Sequence, residues 1–132
     1  MKQKIKKSEK EWREQLTNEQ FEICRLKGTE PAFTGKYYHC KEEGIYHCIC
    51  CDAELFDSKA KYDSGSGWPS FWEPISEGKL ELKVDHKLMQ ERTEALCGHC
   101  DAHLGHVFND GPKPTFLRYC INSAALSLLS KG

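Results

Sequence analysis

Cysteines are the residues whose number and spacing point most directly to chemistry. The 132-residue sequence contains eight of them, and four form two Cys-x-x-Cys pairs, Cys48 with Cys51 and Cys97 with Cys100. Four thiolates at this spacing can bind one zinc ion tetrahedrally. The pairs therefore predict one structural zinc per chain. Cys120, which stands alone near the C-terminus, is left as a candidate reactive thiol.

Cys120 lies in the segment RYCINS. A cysteine is nucleophilic as its thiolate, and an ordinary thiol pKa of about 8.5 leaves only a small ionised fraction at neutral pH. Arg118 precedes it by two residues, so on a strand both side chains share a face and the positive charge is predicted to favour the thiolate. The alternative is a small buried core residue, and the segment taken alone favours that interpretation.

Two histidines and an aspartate follow the second cysteine pair, in the segment HLGHVFND: His103, His106 and Asp110. The imidazoles could bind zinc, act as general acids or lie on the surface. Zinc binding is the least favoured, because four cysteines already complete a tetrahedron. His99 is predicted to be a turn residue within the second pair. The other histidines have no informative spacing and are predicted to lie on the surface: His39, His47 and His86.

Trp68 lies in DSGSGWPSFW, a segment with too many turn-forming residues for a regular strand. We expect an ordered loop that presents an aromatic wall. An indole face can hold a small apolar or slightly cationic group, such as a methyl next to a polarised sulfur. The alternative, that Trp68 only fixes the loop to the core, stays open on these residues alone.

Composition narrows the class of protein. At 15.2 kDa, with 39% hydrophobic and 30% charged residues, the chain can form one domain with a modest core, to which a bound metal would add stability. The net charge of -1 gives no cationic excess for nucleic-acid binding. No apolar run approaches the roughly 20 residues of a membrane span, and the first residues lack the apolar core of a signal peptide. We therefore expect a cytoplasmic protein with reduced thiols, not a secreted disulfide scaffold.

Two short helices are predicted at the start of the chain. Each begins with a capping-box pattern, Ser8 with Glu11 and Thr17 with Gln20. Gly28 is predicted to end the second helix. We expect a single domain over residues 1–132, in which residues 1–28 form a helical arm against a β body.

The rest of the chain is predicted to be mostly β, because turn residues separate short segments rich in Tyr, Phe, Ile and Val. The predicted strands cover residues 44–48, 79–85, 90–96, 105–108 and 115–122, with the cysteine pairs at strand turns. Residues 123–129 are compatible with either a strand or a helix.

Six segments, in this order, resemble the methionine-R-sulfoxide reductases, the MsrB family: GTEPAFTGKY, YHCICC, KYDSGSGWPSF, CGHC, AHLGHVFNDGP and RYCINSAAL. The resemblance extends over nearly the whole chain. It implies a mostly β fold of the β-tent type, with two antiparallel sheets and short N-terminal helices, held by one structural zinc far from the active site.

The resemblance also implies roles for individual residues. Cys120 matches the catalytic cysteine, Trp68 the residue that receives the substrate ε-methyl, and Phe108 a second substrate-binding residue. The surrounding polar residues of the family match His103, His106, Asp110, Arg118 and Asn122. The implied reaction is attack of the Cys120 thiolate on the sulfoxide sulfur, with protonation of the oxygen by His106 assisted by His103. It leaves a sulfenic acid on Cys120, which thioredoxin or another thiol reduces.

One position departs from a common pattern of the family. Many members have a second cysteine two residues before the tryptophan, where this chain has Ser66, and a serine cannot form the recycling disulfide. Cys24 is the first candidate for the resolving thiol, and its alternative is a core position that shares a helix face with Phe21. Cys40, Cys50 and direct reduction by an external thiol stay open. We expect a monomer that acts on peptide- or protein-bound methionine sulfoxide. The alternatives are a zinc-stapled interaction or chaperone module and a redox sensor without substrate turnover.

Overall fold

The computed structural model describes residues 7–85 and 92–130. The helices are α1 (Glu9–Gln15) and α2 (Asn18–Cys24). The strands are β1 (Gly44–Cys48), β2 (Glu54–Asp57), β3 (Lys61–Tyr62), β4 (Ser70–Phe71), β5 (Leu80–Asp85), β6 (Arg92–Cys97), β7 (His103–Phe108), β8 (Arg118–Ile121) and β9 (Leu126–Ser130). Two short 3-10 helices cover Ser58–Ala60 and Ser123–Ala125.

The strands form two antiparallel sheets. Three strands pair in the order β2-β1-β9, and six pair in the order β3-β4-β8-β7-β6-β5. The prediction of a mostly β fold with two antiparallel sheets and short N-terminal helices is confirmed. No helix within the two described ranges is long and apolar enough to cross a membrane.

Both predicted capping boxes are present. The Ser8 and Thr17 hydroxyls accept the backbone N–H groups of Glu11 and Gln20, at 3.2 and 3.1 Å, and the side chains of Glu11 and Gln20 accept in return. These reciprocal bonds satisfy N–H groups that the first turn of a helix leaves free. The sequence alone therefore identified both helix starts correctly.

The second helix ends earlier than predicted. It ends at Cys24, and Lys27 then adopts a left-handed conformation with φ 61°. This reversal brings the Gly28 N–H to the carbonyl of Glu22 at 2.9 Å. The left-handed residue after the helix is thus Lys27, and Gly28 follows it. A prediction based on the glycine therefore placed the end of the helix too late.

Strand ends differ from the predictions where a turn or a bulge interrupts the pattern. Residues 44–48 match β1, and the strands predicted at 79–85 and 105–108 become β5 and the longer β7. The strand predicted at 115–122 shrinks to β8, because Phe116 has φ 62° and closes a tight turn onto Pro112. The strand predicted at 90–96 becomes β6, with residues 90 and 91 outside the described ranges. Residues 123–129 divide between a 3-10 helix and β9, and the short β2, β3 and β4 were not predicted.

The core combines side chains of both sheets and both helices. Phe56 of β2 stacks on Phe71 of β4 with ring centroids 4.3 Å apart, and Tyr46 of β1 meets Phe71 edge to face. Trp12 and Phe21 of the helices belong to the same buried cluster. This packing fixes the six-stranded sheet, whose centre carries the candidate site.

Candidate active site and metal centre

Cys120 lies in a row of residues that crosses four neighbouring strands. Its Cα partner is Ser70 on β4 and His106 on β7, and His106 is in turn paired with Glu94 on β6. Side chains directly opposite each other in antiparallel strands lie on the same face. The register alone therefore brings a thiol, an imidazole and a carboxylate together on one face of the sheet.

A β-bulge places His103 on this face as well. On a regular strand, residues three apart point to opposite sides of the sheet. Here β7 pairs with β6 through Gly105 and then through His103, so Leu104 is an extra residue. The rings of His103 and His106 consequently meet edge to face, with centroids 5.5 Å apart. Sequence spacing did not reveal the bulge.

A cavity of about 230 Å³ opens above Cys120. Trp68 and Phe108 give it an apolar wall, while His106 and Arg118 give it polar groups. Its remaining lining consists of Thr29, Ser66, Gly105 and Asn122. An apolar wall beside a thiol and proton donors suits a substrate with a small apolar group next to a polar reacting atom.

Burial dominates the electrostatics of the candidate nucleophile. It raises the pKa of Cys120, while a hydrogen bond with the Ser66 hydroxyl, 3.7 Å from Sγ, and the positive charge of Arg118 act in the opposite direction. The predicted effect of Arg118 on the thiolate is right in direction. Desolvation outweighs it, so Cys120 favours the neutral thiol more than an exposed cysteine does.

Arg118 is held in place by Asp110 and Phe108. Its Nε and Nη2 donate to the two carboxylate oxygens of Asp110, at 2.8 and 3.2 Å, and its guanidinium lies 4.4 Å from the Phe108 ring centroid. These bonds lower the pKa of Asp110 and raise that of Arg118. The ion pair therefore fixes a permanent cation at the cavity wall.

Glu94 is a site residue that the sequence analysis missed. Its carboxylate lies 2.6 Å from Nδ1 of His103, and both side chains are almost completely buried. The other carboxylate oxygen is 3.5 Å from the ammonium of Lys27, which is half exposed. A charged residue on the inward face of a predicted strand was the available signal, because such residues are rarely buried without a partner.

Glu30 is a second missed residue, and it connects both sides of the cavity. Its backbone N–H donates to Asn122 Oδ1 at 3.0 Å, and its carbonyl accepts from the Trp68 indole at 2.9 Å. Its side chain accepts the Ala124 N–H at 3.0 Å. The Asn122 amide also donates to the carbonyl of Leu104. The indole and the amide are thus fixed through one buried residue of the segment GTEPAF.

Ser66 belongs to a chain of hydroxyl groups. Ser64 donates to Ser66 at 2.8 Å and lies 2.6 Å from the hydroxyl of Ser70, which donates to the carbonyl of Trp68. Ser66 is also the hydroxyl next to the Cys120 sulfur. The structure therefore places a network of hydroxyl groups beside the Cys120 thiol at this edge of the cavity.

The four paired cysteines converge at the ends of two hairpins. Their sulfur atoms all lie within 4.8 Å of one another, with 3.7 Å between Cys48 and Cys100 and 3.6 Å between Cys51 and Cys97. Tetrahedral coordination at a Zn–S distance of about 2.3 Å requires sulfurs about 3.8 Å apart. The donor set and its spacing thus fit a zinc ion, as predicted from the pairs.

The two cysteine turns, residues 48–53 and 97–102, have the same local geometry. Asp52 and Asp101 have φ 63° and 62°, and their N–H groups donate to the carbonyls of Cys48 and Cys97 at 2.8 and 2.9 Å. Both turns repeat the sequence Cys-x-x-Cys-Asp-Ala. A local pattern therefore builds each half of the metal centre.

Comparison with known proteins agrees with this arrangement. A family model described as the SelR domain matches residues 16–130. A protein of Hahella chejuensis is 59% identical over 93% of this chain and 88% of its own length. Proteins of Pseudomonas fluorescens and Azotobacter vinelandii are 57% and 58% identical, over 98% and 95% of this chain and 99% and 94% of their own lengths. All three relatives are named peptide methionine sulfoxide reductase MsrB.

The chain belongs to the MsrB family. Of the residues that the resemblance singled out, the cavity contains Cys120, His106, Arg118, Asn122, Trp68 and Phe108. His103 and Asp110 form a second layer, since each contacts a cavity residue without lining the cavity. The structure therefore assembles all of them in one region.

The remaining cysteines lie apart from the MsrB cavity lining. Cys24 is 2% exposed and lies close to Cys50 of the first cysteine turn. Its thiol contributes to the raised pKa of Cys50, after the larger effect of Cys100. Cys40 is half buried beside the Tyr46 hydroxyl. The resolving role of Cys24 stays a prediction, and its burial means that α2 would have to move.

The other histidines of this MsrB chain have different positions. The backbone N–H of His99 donates to Cys97 Sγ at 3.4 Å, as expected for a turn residue. His47 contacts the carbonyl of Asp52 through Nδ1 at 2.8 Å, and His39 is exposed. The prediction for His86 falls outside the described residues.

Proposed function

We propose that the protein reduces the R epimer of methionine sulfoxide in peptides and proteins, with Cys120 as the nucleophile. The observation that carries this proposal is a half-buried thiol at the base of a cavity that also contains an indole, an imidazole and a guanidinium. Family membership supports the reaction and the epimer. A purely interacting module gains no support from a cavity built around a thiol.

The substrate would bind with its methyl group against Trp68 and Phe108 and its sulfur next to Cys120. The thiolate attacks this sulfur while His106 gives a proton to the sulfoxide oxygen. The S–O bond of the substrate breaks, and the oxygen with its proton ends on Cys120 as a sulfenic acid. The substrate sulfur gains two electrons and Cys120 loses two, so methionine is released and the balance is complete.

The remaining polar residues would position these groups. Arg118, fixed by Asp110, supplies the charge that partly offsets burial of the Cys120 thiol. Asn122 would hold the segment that carries Glu30 against the cavity. His103 would support His106 from the second layer, where the two rings are in contact.

Cys48, Cys51, Cys97 and Cys100 would hold one structural zinc. When bound, the ion supplies a cross-link between the two cysteine turns and no redox chemistry. The same four residues would join the three-stranded sheet to the six-stranded sheet, because Cys48 ends β1 and Cys97 ends β6.

Recycling requires an external thiol, for which we propose thioredoxin or a similar reductant, with Cys24 as the candidate resolving cysteine. Movement of α2 out of the core would expose Cys24 for this step. We further propose a cytoplasmic monomer in which residues 1–132 form a single domain and residues 1–28 its helical arm. Cytoplasmic thiols stay reduced, which suits both the zinc ligands and Cys120.

The test is turnover of R and S sulfoxide peptides with dithiothreitol by the wild type and by Cys120→Ser. We expect reduction of the R epimer only, and no reduction by the variant. Cys40→Ser serves as the control, since this half-buried thiol does not line the cavity. Activity that survives Cys120→Ser, or preference for the S epimer, would refute the proposal.

A further inference from the structure

Burial of the Glu94 carboxylate must be compensated by neighbouring groups. Glu94 is only 4% exposed, and a buried charge is costly unless hydrogen bonds or an opposite charge compensate for it. The Lys27 ammonium is 3.5 Å away and half exposed, so its compensation is partial. The short contact, 2.6 Å, is with Nδ1 of the buried His103.

If Glu94 is ionised, this contact assigns the ring hydrogen of His103 to Nδ1. An ionised carboxylate only accepts hydrogen bonds, so Nδ1 must be the N–H donor and Nε2 is the nitrogen directed away from Glu94. A carboxylate in this position both orients an imidazole and stabilises its protonated form. Glu94 therefore has the geometry of an orienting group for a histidine.

His106 connects the oriented His103 ring to Cys120. His103 contacts His106 edge to face, and His106 is the cross-strand partner of Cys120. Glu94 is itself the cross-strand partner of His106 on the other side. Three neighbouring strands thus carry carboxylate, imidazoles and thiol in sequence across the sheet.

We propose that Glu94 is a positioning residue for proton delivery, acting through His103 on the ring of His106. The inference rests on the proposed function and deepens it. In the reaction, one proton passes from His106 to the sulfoxide oxygen and remains in the sulfenic acid. Glu94 and His103 undergo no redox change, and they hold the donor ring at the angle that this transfer needs.

Glu94→Gln is the sharpest single change, because glutamine has nearly the same shape but an amide that can turn its NH₂ toward Nδ1. We expect the single-turnover rate of R-sulfoxide reduction to fall by about 100-fold, the lower end of what a well-placed general acid contributes. KM and the rate of Cys120 alkylation by iodoacetamide should stay close to wild type. The matched control is Glu54→Gln, an exposed glutamate at the start of β2.

A double-mutant cycle tests whether Glu94 acts through His103. His103→Asn and the double variant Glu94→Gln/His103→Asn should have the same single-turnover rate, because the carboxylate has no effect once its imidazole is absent. Additive losses would overturn the proposal. So would a loss of rate explained by unfolding, which thermal denaturation of each variant detects.

Nitrogen-15 NMR of the imidazoles provides a readout that does not depend on turnover. His103 should carry its hydrogen on Nδ1 in the wild type, and Glu94→Gln should weaken this preference, because an amide can donate to Nδ1 as well as accept from it. An Nε2-protonated His103 in the wild type would overturn the role of Glu94, even if the thiol mechanism stands. Activity retained by Cys120→Ser would instead refute the proposed function, so the two failures are distinguishable.

Discussion

The metal centre and the active site both depend on cysteine, but the fold builds them in different ways. Each cysteine turn is made by six consecutive residues with matching φ angles and hydrogen bonds. The surroundings of Cys120 come from four strands, a loop and the segment after α2. One site is thus specified locally and the other by register across a sheet.

The pKa values of the thiols also differ between the metal centre and the active site. Hydrogen bonds from neighbouring thiols, that of Cys48 first, lower the pKa of Cys100. Burial raises the pKa of Cys120 despite Ser66 and Arg118. The same hydrogen bonds raise the pKa of Cys48 and Cys51, so the cluster concentrates its thiolate character on part of its ligands, whereas burial keeps the isolated Cys120 thiol neutral.

Loss of one zinc ligand should have the largest effect of the predicted changes. Cys100→Ser should lose the metal and destabilise the fold by roughly 5 kcal/mol or more, since structural zinc contributes on the order of 10–16 kcal/mol in zinc-finger peptides. Cys120→Ser should leave the zinc content and the melting temperature near those of the wild type. Metal analysis and thermal denaturation of both variants measure the contrast. A Cys100→Ser protein that stays folded without metal would contradict this expected difference.

Replacement of the aromatic wall should affect activity and spare the metal centre. Trp68→Ala should reduce kcat/KM for R-sulfoxide peptides by about 30-fold, equivalent to about 2 kcal/mol of lost apolar contact. Trp68→Phe keeps a ring but removes the bond to the Glu30 carbonyl, so a loss of about 1 kcal/mol is expected. Steady-state kinetics with both variants separate the two contributions. Equal losses would show that the hydrogen bond, not the ring face, is what matters.

The same contrast explains how far the sequence could predict the molecule. The capping boxes and the cysteine pairs are local patterns, and both were predicted correctly from residues a few positions apart. The bulge at Leu104 and the burial of Glu94 depend on how β6 pairs with β7, which spacing along one strand does not contain. Before the strand register was known, only the family resemblance assigned His103 and Cys120 to the same site.

Removal of the cavity cation should shift the reactivity of Cys120 moderately. Burial raises the pKa of this thiol and Arg118 opposes the rise, so Arg118→Gln should raise the pKa further and leave less thiolate at any given pH. Alkylation by iodoacetamide at pH 7 should therefore slow several-fold, with its pH midpoint moved upward. Lys59→Gln, an exposed cation of a 3-10 helix, is the control. A faster reaction in Arg118→Gln would contradict this electrostatic assignment.

The smallest predicted effect tests how local the metal centre is. Arg25 follows α2, donates to the carbonyl of Cys100 at 2.9 Å and to its sulfur at 3.5 Å, and lies 4.2 Å from the Trp12 ring centroid. Arg25→Met should lower the free energy of unfolding by about 1–2 kcal/mol, from one hydrogen bond and one cation–π contact. The zinc content should not change, because the turns themselves hold the ligands.

Arg13→Met is the matched control for this change, since Arg13 also lies 4.2 Å from an aromatic ring centroid, that of Phe21, and its side chain is 55% exposed. It should destabilise the protein less than Arg25→Met, because solvent screens an exposed cation and no bond to a cysteine turn is lost. Denaturant unfolding with metal analysis distinguishes the variants. If Arg25→Met released the zinc, the helices would be part of the metal centre. The metal centre would then depend on contacts between distant segments of the chain, as the Cys120 site does.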